Sequence, residues 1–289
     1  MQYHTPASFD DASKIAAKAT GVTRFLAGGT DVLVQLRADI VTPDTLIDIK
    51  NIDGVHDITR TSDGGWTIGV AVTGAEMTEH SDLGADWPGL VEAMDLVGST
   101  QIQSRATLTG NLCNGSPAAD SVPAMIAAGA SVTISGPTGP REVAVEDIPT
   151  GPGRTSLKQG EIVTGVNIPS RGAQGGDAYL RFIPRTEMDI AVVGCAVNLV
   201  LDGDTITQAR VVLGAVAPTV LLDQACGDAI IGTTLDDATL EKLATAASAA
   251  CNPITDKRGT IEFRTKVAGV LARRAAKIAY ERAQARGAN

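Results

Sequence analysis

Two adjacent glycines between an apolar segment and a helical pattern constrain the fold of this chain most strongly. Residues 23–27 are typical of a strand, Gly28 and Gly29 follow, and an amphipathic helical pattern begins at Leu33. Residues 45–49 form a second strand pattern. A strand, a helix and a strand within about 30 residues indicate a βαβ unit, whose strands are parallel. The glycines therefore lie at the carboxyl end of a strand, where open α/β sheets usually bind ligands.

The Gly28-Gly29 pair suits an anionic ligand for two physical reasons. Glycine lets the backbone approach an anion closely, and a helix start leaves unpaired N–H groups beside a partial positive charge. A tight turn without any ligand explains these two residues alone equally well. The chain contains neither G-x-x-x-x-G-K-[ST] nor a G-x-G-x-x-G after this strand, which disfavours a P-loop nucleotidase and a Rossmann dinucleotide fold.

A second segment, residues 101–120, is rich in Thr, Ser, Asn and Gly and shows neither strand nor helix periodicity over most of its length. Inside a globular domain, such a segment usually either has a functional role or is a long exposed loop. It ends at a predicted helix start, with Ser116 as N-cap, Pro117 in the first helical position and Asp120 in the first turn. Asp120 is either an ordinary acid at a helix start or a ligand-binding group, and Asn111 is either a capping residue or a ligand contact.

Composition and charge exclude several classes of protein. A net charge of −9 and an aromatic content of 3% disfavour nucleic acid as a partner, because binding it needs a basic surface and stacking platforms. The four cysteines are widely separated in the sequence and show no metal-ligand spacing. No stretch approaches the ~20 apolar residues of a membrane span, and no signal peptide is evident at the N-terminus. We predict a soluble cytoplasmic protein with reduced thiols.

The remainder of the chain predicts a further domain. Residues 171–176 are a short, Gly-rich polar connection, which we predict to be a domain boundary. Beyond it, residues 190–201 and 205–216 are long strand patterns, and residues 236–250 and 262–286 are helical patterns. Strands followed by helices indicate an α+β domain.

Three segments of the chain, taken together and in order, resemble one family. They are Ala27-Gly28-Gly29-Thr30-Asp31, Thr107-Leu108-Thr109-Gly110-Asn111 and Ser116-Pro117-Ala118-Ala119-Asp120. The chain resembles the FAD-binding medium subunits of molybdenum hydroxylases, a group that includes the carbon monoxide dehydrogenase medium subunit and the flavin domain of xanthine dehydrogenase. The similarity extends over essentially the whole chain, including residues 179–191 and Arg264.

The resemblance implies an α/β plus α+β architecture with the vanillyl-alcohol-oxidase-type, or PCMH-type, two-lobed FAD-binding fold. An N-terminal α/β lobe (residues 1–55) and a second α/β lobe (residues 56–172) would hold FAD between them. A C-terminal α+β domain similar to that of carbon monoxide dehydrogenase flavoproteins would occupy residues 173–289.

The resemblance also implies which residues bind FAD, without a covalent bond. The first loop would hold the pyrophosphate through backbone N–H groups, and the second loop would contact the dinucleotide. An acid would hydrogen-bond the sugar or ribityl region, and two apolar residues and one basic residue would lie near the flavin ring. The residues of the first loop are Leu26, Ala27, Gly28, Gly29, Thr30, Asp31 and Val32, and those of the second loop are Thr107, Thr109, Gly110 and Asn111. The acid is Asp120, the apolar residues are Ile162 and Val163, and the basic residue is Arg181. No catalytic or metal-binding residue is expected in this chain.

Two positions depart from the family pattern: Thr30, where some relatives have His and others Thr, and Thr109. The family usually has a glycine where Thr109 stands, so a side chain here occupies the place where backbone approaches the ligand. We expect this residue to be tolerated if its φ angle is negative.

The resemblance implies an electron-transfer function within a heterotrimeric molybdenum hydroxylase. A large molybdopterin subunit would hydroxylate the substrate, and a small subunit with two [2Fe-2S] clusters would pass electrons to the FAD of this chain. An external acceptor would then reoxidise the flavin, and we expect a dimer of heterotrimers. Two other classes remain open: a stand-alone FAD oxidase or reductase with its own substrate, and a nucleotide-binding module without redox activity.

Overall fold

The computed structural model describes residues 1–287, so the last two residues of the predicted C-terminal domain lie outside the described residues. A small parallel sheet comes first in the chain and is followed by two larger antiparallel sheets. This order agrees with the predicted α/β plus α+β architecture.

The first lobe contains the predicted βαβ unit. Strands β1 (Gln2–His4), β2 (Thr23–Leu26) and β3 (Thr45–Asp48) pair in the parallel order β1-β3-β2, and helices α1 (Phe9–Lys18) and α2 (Val32–Arg37) connect them. Ile47 and Ile49 pack against Ala12 and Ala16 of α1. Because β2 is an edge strand, the Gly28-Gly29 loop leaves the sheet at its border.

Helix α2 follows the two glycines as predicted, but its apolar residues do not form a buried face. None of its six residues is buried. Leu33 is 45% exposed, and Ile40, which lies beyond the end of the helix, is 71% exposed. The apolar spacing in this stretch therefore predicts the helix correctly and does not mark a core contact.

The second lobe is built on a five-stranded antiparallel sheet. In spatial order its strands are β4 (Ile58–Arg60), β5 (Trp66–Gly69), β10 (Ile162–Ile168), β6 (Ser131–Ser135) and β7 (Arg141–Ala144). A hairpin of β8 (Pro149–Gly151) and β9 (Arg154–Thr155) precedes β10. The helices of this lobe are α3 (Gly74–Glu79), α4 (Ser81–Asp86), α5 (Pro88–Asp95), α6 (Thr100–Gln103), α7 (Leu108–Cys113) and α8 (Ser121–Ala127).

Strand β10 contributes to two hydrophobic cores. Ile162 packs in the core of the first lobe with Ile47, and Val163 packs in the core of the second lobe with Met125. Both side chains are 3% exposed. Adjacent side chains of a strand point to opposite faces of a sheet, so this one strand holds the two lobes together.

Residues 101–120 are more regular than their sequence pattern predicts. They contain most of α6 and the whole of α7, so the interpretation as a long exposed loop is wrong, and the alternative of a functional segment stays open. The predicted helix start at Ser116 and Pro117 is also wrong, because α8 begins at Ser121. The Pro117 carbonyl accepts a hydrogen bond from the Ala215 N–H at 2.7 Å, and the Ser121 N–H donates to Asn111 Oδ1 at 3.2 Å. In a helix that begins at Pro117, these two groups would bond to each other, but each has another partner.

The C-terminal domain is an antiparallel sheet covered by helices, as predicted. Strands β11 (Gly175–Phe182), β12 (Val193–Asp202), β13 (Thr205–Gly214) and β14 (Leu221–Leu222) pair in sequence order. Helices α9 (Gln224–Asp228), α10 (Asp237–Ala250) and α11 (Ile261–Gly287) complete it. Cys195, Cys226 and Cys251 share its core although they are distant in sequence, and all three thiols are free.

The predicted polar connection at residues 171–176 begins with a buried side chain, Arg171. The Arg171 guanidinium lies 3.6 Å from the centroid of the Trp87 ring and pairs with Asp177 at 2.8 Å. The Asp177 carboxylate also accepts a hydrogen bond from the Leu90 N–H at 3.1 Å. Because Trp87 and Leu90 belong to the second lobe, these contacts fix the C-terminal domain against it.

Within residues 1–287, no helix has both the length and the apolar character that crossing a membrane requires.

We expect Gly176→Ala to destabilise the chain. A Cβ atom at Gly176 would lie 2.0 Å from the Ala279 carbonyl oxygen of α11, so the helix would have to move off β11. Overpacking of this kind costs about 2 kcal/mol, and in a chain of this size we expect a loss of about 4–8 °C in Tm. The control is Gly84→Ala, since nothing lies within 4 Å of a Cβ there. Equal Tm values for the two variants, measured by differential scanning fluorimetry, would contradict this account of the junction.

Candidate functional site

The Gly28-Gly29 loop meets the start of the second segment through a backbone contact. A Cβ atom at Gly28 would lie 1.7 Å from the Arg105 carbonyl oxygen, and the Arg105 Nε donates to the Gly28 carbonyl at 3.0 Å. Gly29 has a φ of 80°, which favours glycine. The two segments that the sequence singles out are therefore in contact, and Gly28 is required for that contact.

Consecutive backbone N–H groups of the first loop have no partner within the described part of the chain. The N–H groups of Gly28, Gly29, Thr30 and Asp31 donate to no atom of residues 1–287. Gly28, Gly29 and Thr30 are half-buried. Successive free N–H groups in a turn form a site for an anion, which is the property that the predicted pyrophosphate contact requires.

The flanking residues of this loop have structural roles. Leu26 is 7% exposed and ends β2, Ala27 packs against the core of the first lobe, and Val32 begins α2. Asp31 occupies the position before α2, and its side chain makes no capping hydrogen bond.

The second segment is held by side-chain hydrogen bonds to its own neighbours. Thr107 caps α7, because its Oγ1 accepts from the Gly110 N–H at 2.9 Å. Asn111 Oδ1 accepts from the N–H and the hydroxyl of Ser121, at 3.2 and 2.7 Å. Asn111 therefore has the capping role that one of its two interpretations predicts, and Gly110 remains exposed.

Thr109 directs its side chain away from the exposed side of the segment. Its hydroxyl donates to the Val70 carbonyl at 2.6 Å, and the residue is 3% exposed. It lies in the first turn of α7 and is not among the described residues with positive φ. The negative φ that tolerance of Thr109 requires is therefore present.

Asp120 is the centre of a buried group of three polar side chains. Its Oδ1 accepts from the Tyr179 hydroxyl at 2.8 Å, and its Oδ2 accepts from Arg181 Nη1 at 2.7 Å. Asp120 is 7% exposed and the Arg181 side chain is 5% exposed. Burial raises the pKa of Asp120 to about 6, against the opposing effects of the Arg181 charge and the two hydrogen bonds.

Arg181 also borders a cavity of about 550 Å³. Its Nε is buried and has no hydrogen-bond partner in the described chain. A buried N–H of a guanidinium without an acceptor is costly, so this atom points to a ligand with an acceptor at this place. The other residues that line the cavity are Ala75, Thr78, Glu79, Asp95, Leu96, Gly98, Ser99, Thr100, Gln103, Thr186 and Glu187.

The sequence prediction did not include these lining residues. They come from α3, the end of α5, α6 and the stretch after β11, and they have no common spacing in the sequence. Only the turn at Gly98 and Ser99 carries a local signal, and that signal indicates a helix end.

Ile162 and Val163 are the predicted site residues that the structure places in hydrophobic cores. Each is 3% exposed. Neither residue therefore presents an open surface. Their predicted position beside a flavin ring stays a prediction, in which they form the wall behind the site.

The residues of the first loop and of the cavity wall fit a dinucleotide such as FAD. Free N–H groups in the first loop suit a pyrophosphate, and the unpartnered Arg181 Nε suits an acceptor atom of a flavin ring. No group of three or more His, Cys, Asp or Glu side chains among residues 1–287 could hold a metal ion.

The architecture is that of the PCMH-type FAD-binding fold. Residues 1–171 match the family described as "FAD binding domain in molybdopterin dehydrogenase", and residues 178–279 match the "CO dehydrogenase flavoprotein C-terminal domain". The chain belongs to this family of FAD-binding subunits of molybdopterin dehydrogenases, as the resemblance indicates.

Two named relatives and a solved structure are similar to this chain over nearly its whole length. The carbon monoxide dehydrogenase medium chain of Afipia carboxidovorans is 34% identical over 294 aligned residues, which cover 100% of this chain and 98% of the relative. The xanthine dehydrogenase FAD-binding subunit of Escherichia coli O157:H7 is 32% identical over 263 residues, 91% of this chain and 90% of the relative. A crystal structure of Cu,Mo-CO dehydrogenase matches with a TM-score of 0.93 and 33% identity over 98% of each chain.

We expect Gly28→Val to abolish FAD binding by separating the two segments. The added side chain would overlap the Arg105 carbonyl, since even its Cβ atom would lie 1.7 Å from that oxygen. Gly84→Val is the matched control, because a Cβ at that position has no neighbour within 4 Å. FAD per chain is measured from flavin absorbance after gel filtration. Full FAD content in the Gly28 variant would show that this contact does not shape the site.

We expect Thr109→Val to destabilise the chain without loss of FAD. The substitution keeps the shape of the side chain but removes the hydroxyl that donates to the Val70 carbonyl, at a cost of about 1–3 kcal/mol for a buried group left unpaired. Thr109→Gly, which restores the usual family residue, should also retain FAD. The measurements are Tm and FAD content, and loss of FAD in both variants would place the Thr109 side chain in the ligand site instead.

Proposed function

We propose that this chain is the FAD-binding electron-transfer subunit of a molybdenum hydroxylase. One observation with two parts carries the proposal. Four N–H groups of the first loop are free, and a cavity is bordered by Arg181, whose Nε has no partner in the described chain. The family match and the medium-chain relatives support the same assignment. When bound, FAD supplies the ability to accept and release electrons, while the protein supplies position and electrostatics.

The proposed binding site uses the predicted residues in distinct roles. Gly28, Gly29, Thr30 and Asp31 hold the pyrophosphate through their N–H groups, with Leu26, Ala27 and Val32 fixing the loop. Thr107, Thr109, Gly110 and Asn111 shape the second segment. Each carboxylate oxygen of Asp120 can accept a further hydrogen bond besides the one from Tyr179 or Arg181. Asp120 binds the sugar or ribityl region through these remaining acceptor positions.

The flavin ring occupies the cavity beside Arg181 in this proposal. Ile162 and Val163 support that region from the shared strand β10. The cavity is open to solvent at Glu187 and Thr186, which are exposed. An acceptor can therefore approach the ring from this side, and Arg181 orients the ring through its free Nε–H.

The proposal extends to domain organisation, partners and location. The lobes are residues 1–55 and 56–172, followed by the domain at 173–289. The partners are a small iron–sulfur subunit and a large molybdopterin subunit, arranged as a dimer of heterotrimers in the cytoplasm. The relatives named as medium chains support such partners, and the free thiols suit a reducing compartment.

Purification of the tagged chain from its native cells tests this proposal. We expect one FAD per chain, seen as absorbance near ~450 nm from the bound flavin, together with iron and molybdenum in one assembly. FAD without iron and molybdenum, in a chain that a small substrate reduces directly, would favour a stand-alone oxidase or reductase. A colourless chain that also fails to bind added FAD would contradict the proposal altogether.

A further inference from the structure

The hydroxyl group of Tyr179 is buried, and a glycine on the neighbouring strand provides the space for it. Its hydroxyl donates to Asp120 at 2.8 Å, and the residue is 2% exposed. Arg181 pairs with Gly194 across β11 and β12, and a Cβ atom at Gly194 would lie 2.5 Å from the Tyr179 hydroxyl oxygen. Glycine at position 194 therefore makes the room in which this hydroxyl reaches Asp120.

The hydroxyl is a permanent donor. Burial, together with the neighbouring Asp120 carboxylate, raises the pKa of Tyr179 well above its ordinary value. The phenol thus stays protonated at any physiological pH, and its O–H is always available to the carboxylate. Asp120 is held from two sides, by a neutral donor on one oxygen and a cationic donor on the other.

We propose that Tyr179 is a positioning residue that fixes the Asp120–Arg181 pair and thereby sets the charge at the wall of the cavity. The part that concerns FAD rests on the function proposed above. The part that concerns Asp120 depends only on the chain. Tyr179 acts through Asp120 and Arg181, and it is not itself placed against the cavity.

The groups around Asp120 determine whether loss of the Tyr179 hydroxyl raises or lowers the pKa of Asp120. Arg181 on β11 is the charged side chain whose field acts on it, and Cys195 of β12 is the titratable group that adjoins Tyr179. Glu79, Asp95 and Glu187 line the same cavity as Arg181. A hydrogen bond to the ionised carboxylate lowers its pKa, so loss of the Tyr179 hydroxyl raises the pKa of Asp120 above about 6.

Protonation of Asp120 has a defined consequence for the cavity. At pH 7 a carboxyl group with a pKa of about 6 is mostly ionised and neutralises Arg181. When Asp120 is protonated, the Arg181 charge is no longer balanced. An unbalanced positive charge beside the flavin ring favours the reduced, anionic form, so the midpoint potential becomes more positive.

The first experiment follows Asp120 in the full chain without FAD. Infrared difference spectra recorded against pH report the C=O band of protonated carboxyl groups, and Asp120→Asn identifies the Asp120 contribution. We expect a midpoint near pH 6 in the wild type and a midpoint higher by about one pH unit or more in Tyr179→Phe. Tyr280→Phe is the control, because it also loses one tyrosine hydroxyl hydrogen bond, to the Asp204 carbonyl at 2.7 Å, and should leave the midpoint unchanged.

The second experiment repeats the comparison with FAD bound. We expect the flavin midpoint potential at pH 7 to be more positive in Tyr179→Phe than in the wild type and in Tyr280→Phe. Gly194→Ala, whose methyl group would displace the Tyr179 hydroxyl, should reproduce the infrared shift and provides a second variant if Tyr179→Phe folds poorly.

Each outcome decides a separate question. Identical infrared midpoints in Tyr179→Phe and Tyr280→Phe would overturn the inference, whether or not the chain binds FAD. A wild-type chain that binds no FAD would overturn the proposed function while leaving the infrared result valid. A shifted infrared midpoint with an unshifted flavin potential would show that Tyr179 controls Asp120 and that Asp120 does not act on the ring, which contradicts the charge assignment at the cavity wall.

Discussion

The buried ion pair of Asp120 and Arg181 is the interaction on which the candidate site depends. Asp120 precedes α8 in the second lobe, and Arg181 belongs to β11 of the C-terminal domain, so the pair crosses the junction between them. Removing one member of a buried pair typically costs 3–5 kcal/mol, because the other charge remains without compensation. The cavity wall is therefore complete only when the second lobe and the C-terminal domain are assembled.

Local patterns in the sequence predicted those parts of the fold that short-range physics determines. The βαβ unit around Gly28 and Gly29, the two long strands predicted at residues 190–201 and 205–216 and the last two long helices are all confirmed within a few residues. The family resemblance supplied the remainder of the prediction, namely the two-lobed fold and FAD as the ligand. The alternating or helical spacing of apolar residues indicates strands and helices directly, because it reflects which face of each element is buried.

Long-range contacts explain where the local patterns failed. The Thr- and Asn-rich segment looked irregular, yet Thr107 caps a helix there and Thr109 bonds to Val70, which is remote in sequence. Pro117 has the right position for a helix start, but its carbonyl is already used by Ala215 of another domain. Arg181 was included through the resemblance. Tyr179, which also donates to Asp120, and the cavity lining depend on strand pairing and on the glycine at position 194, which no spacing rule reveals.

The position of β10 has a consequence for how the chain unfolds. Because one strand places Ile162 in one core and Val163 in the other, neither lobe can lose its core without exposing apolar surface of its neighbour. The two lobes thus form a single cooperative unit rather than two independently folding ones. A groove built between such lobes keeps its shape through thermal fluctuations, since hinge opening along β10 would require partial melting of both cores.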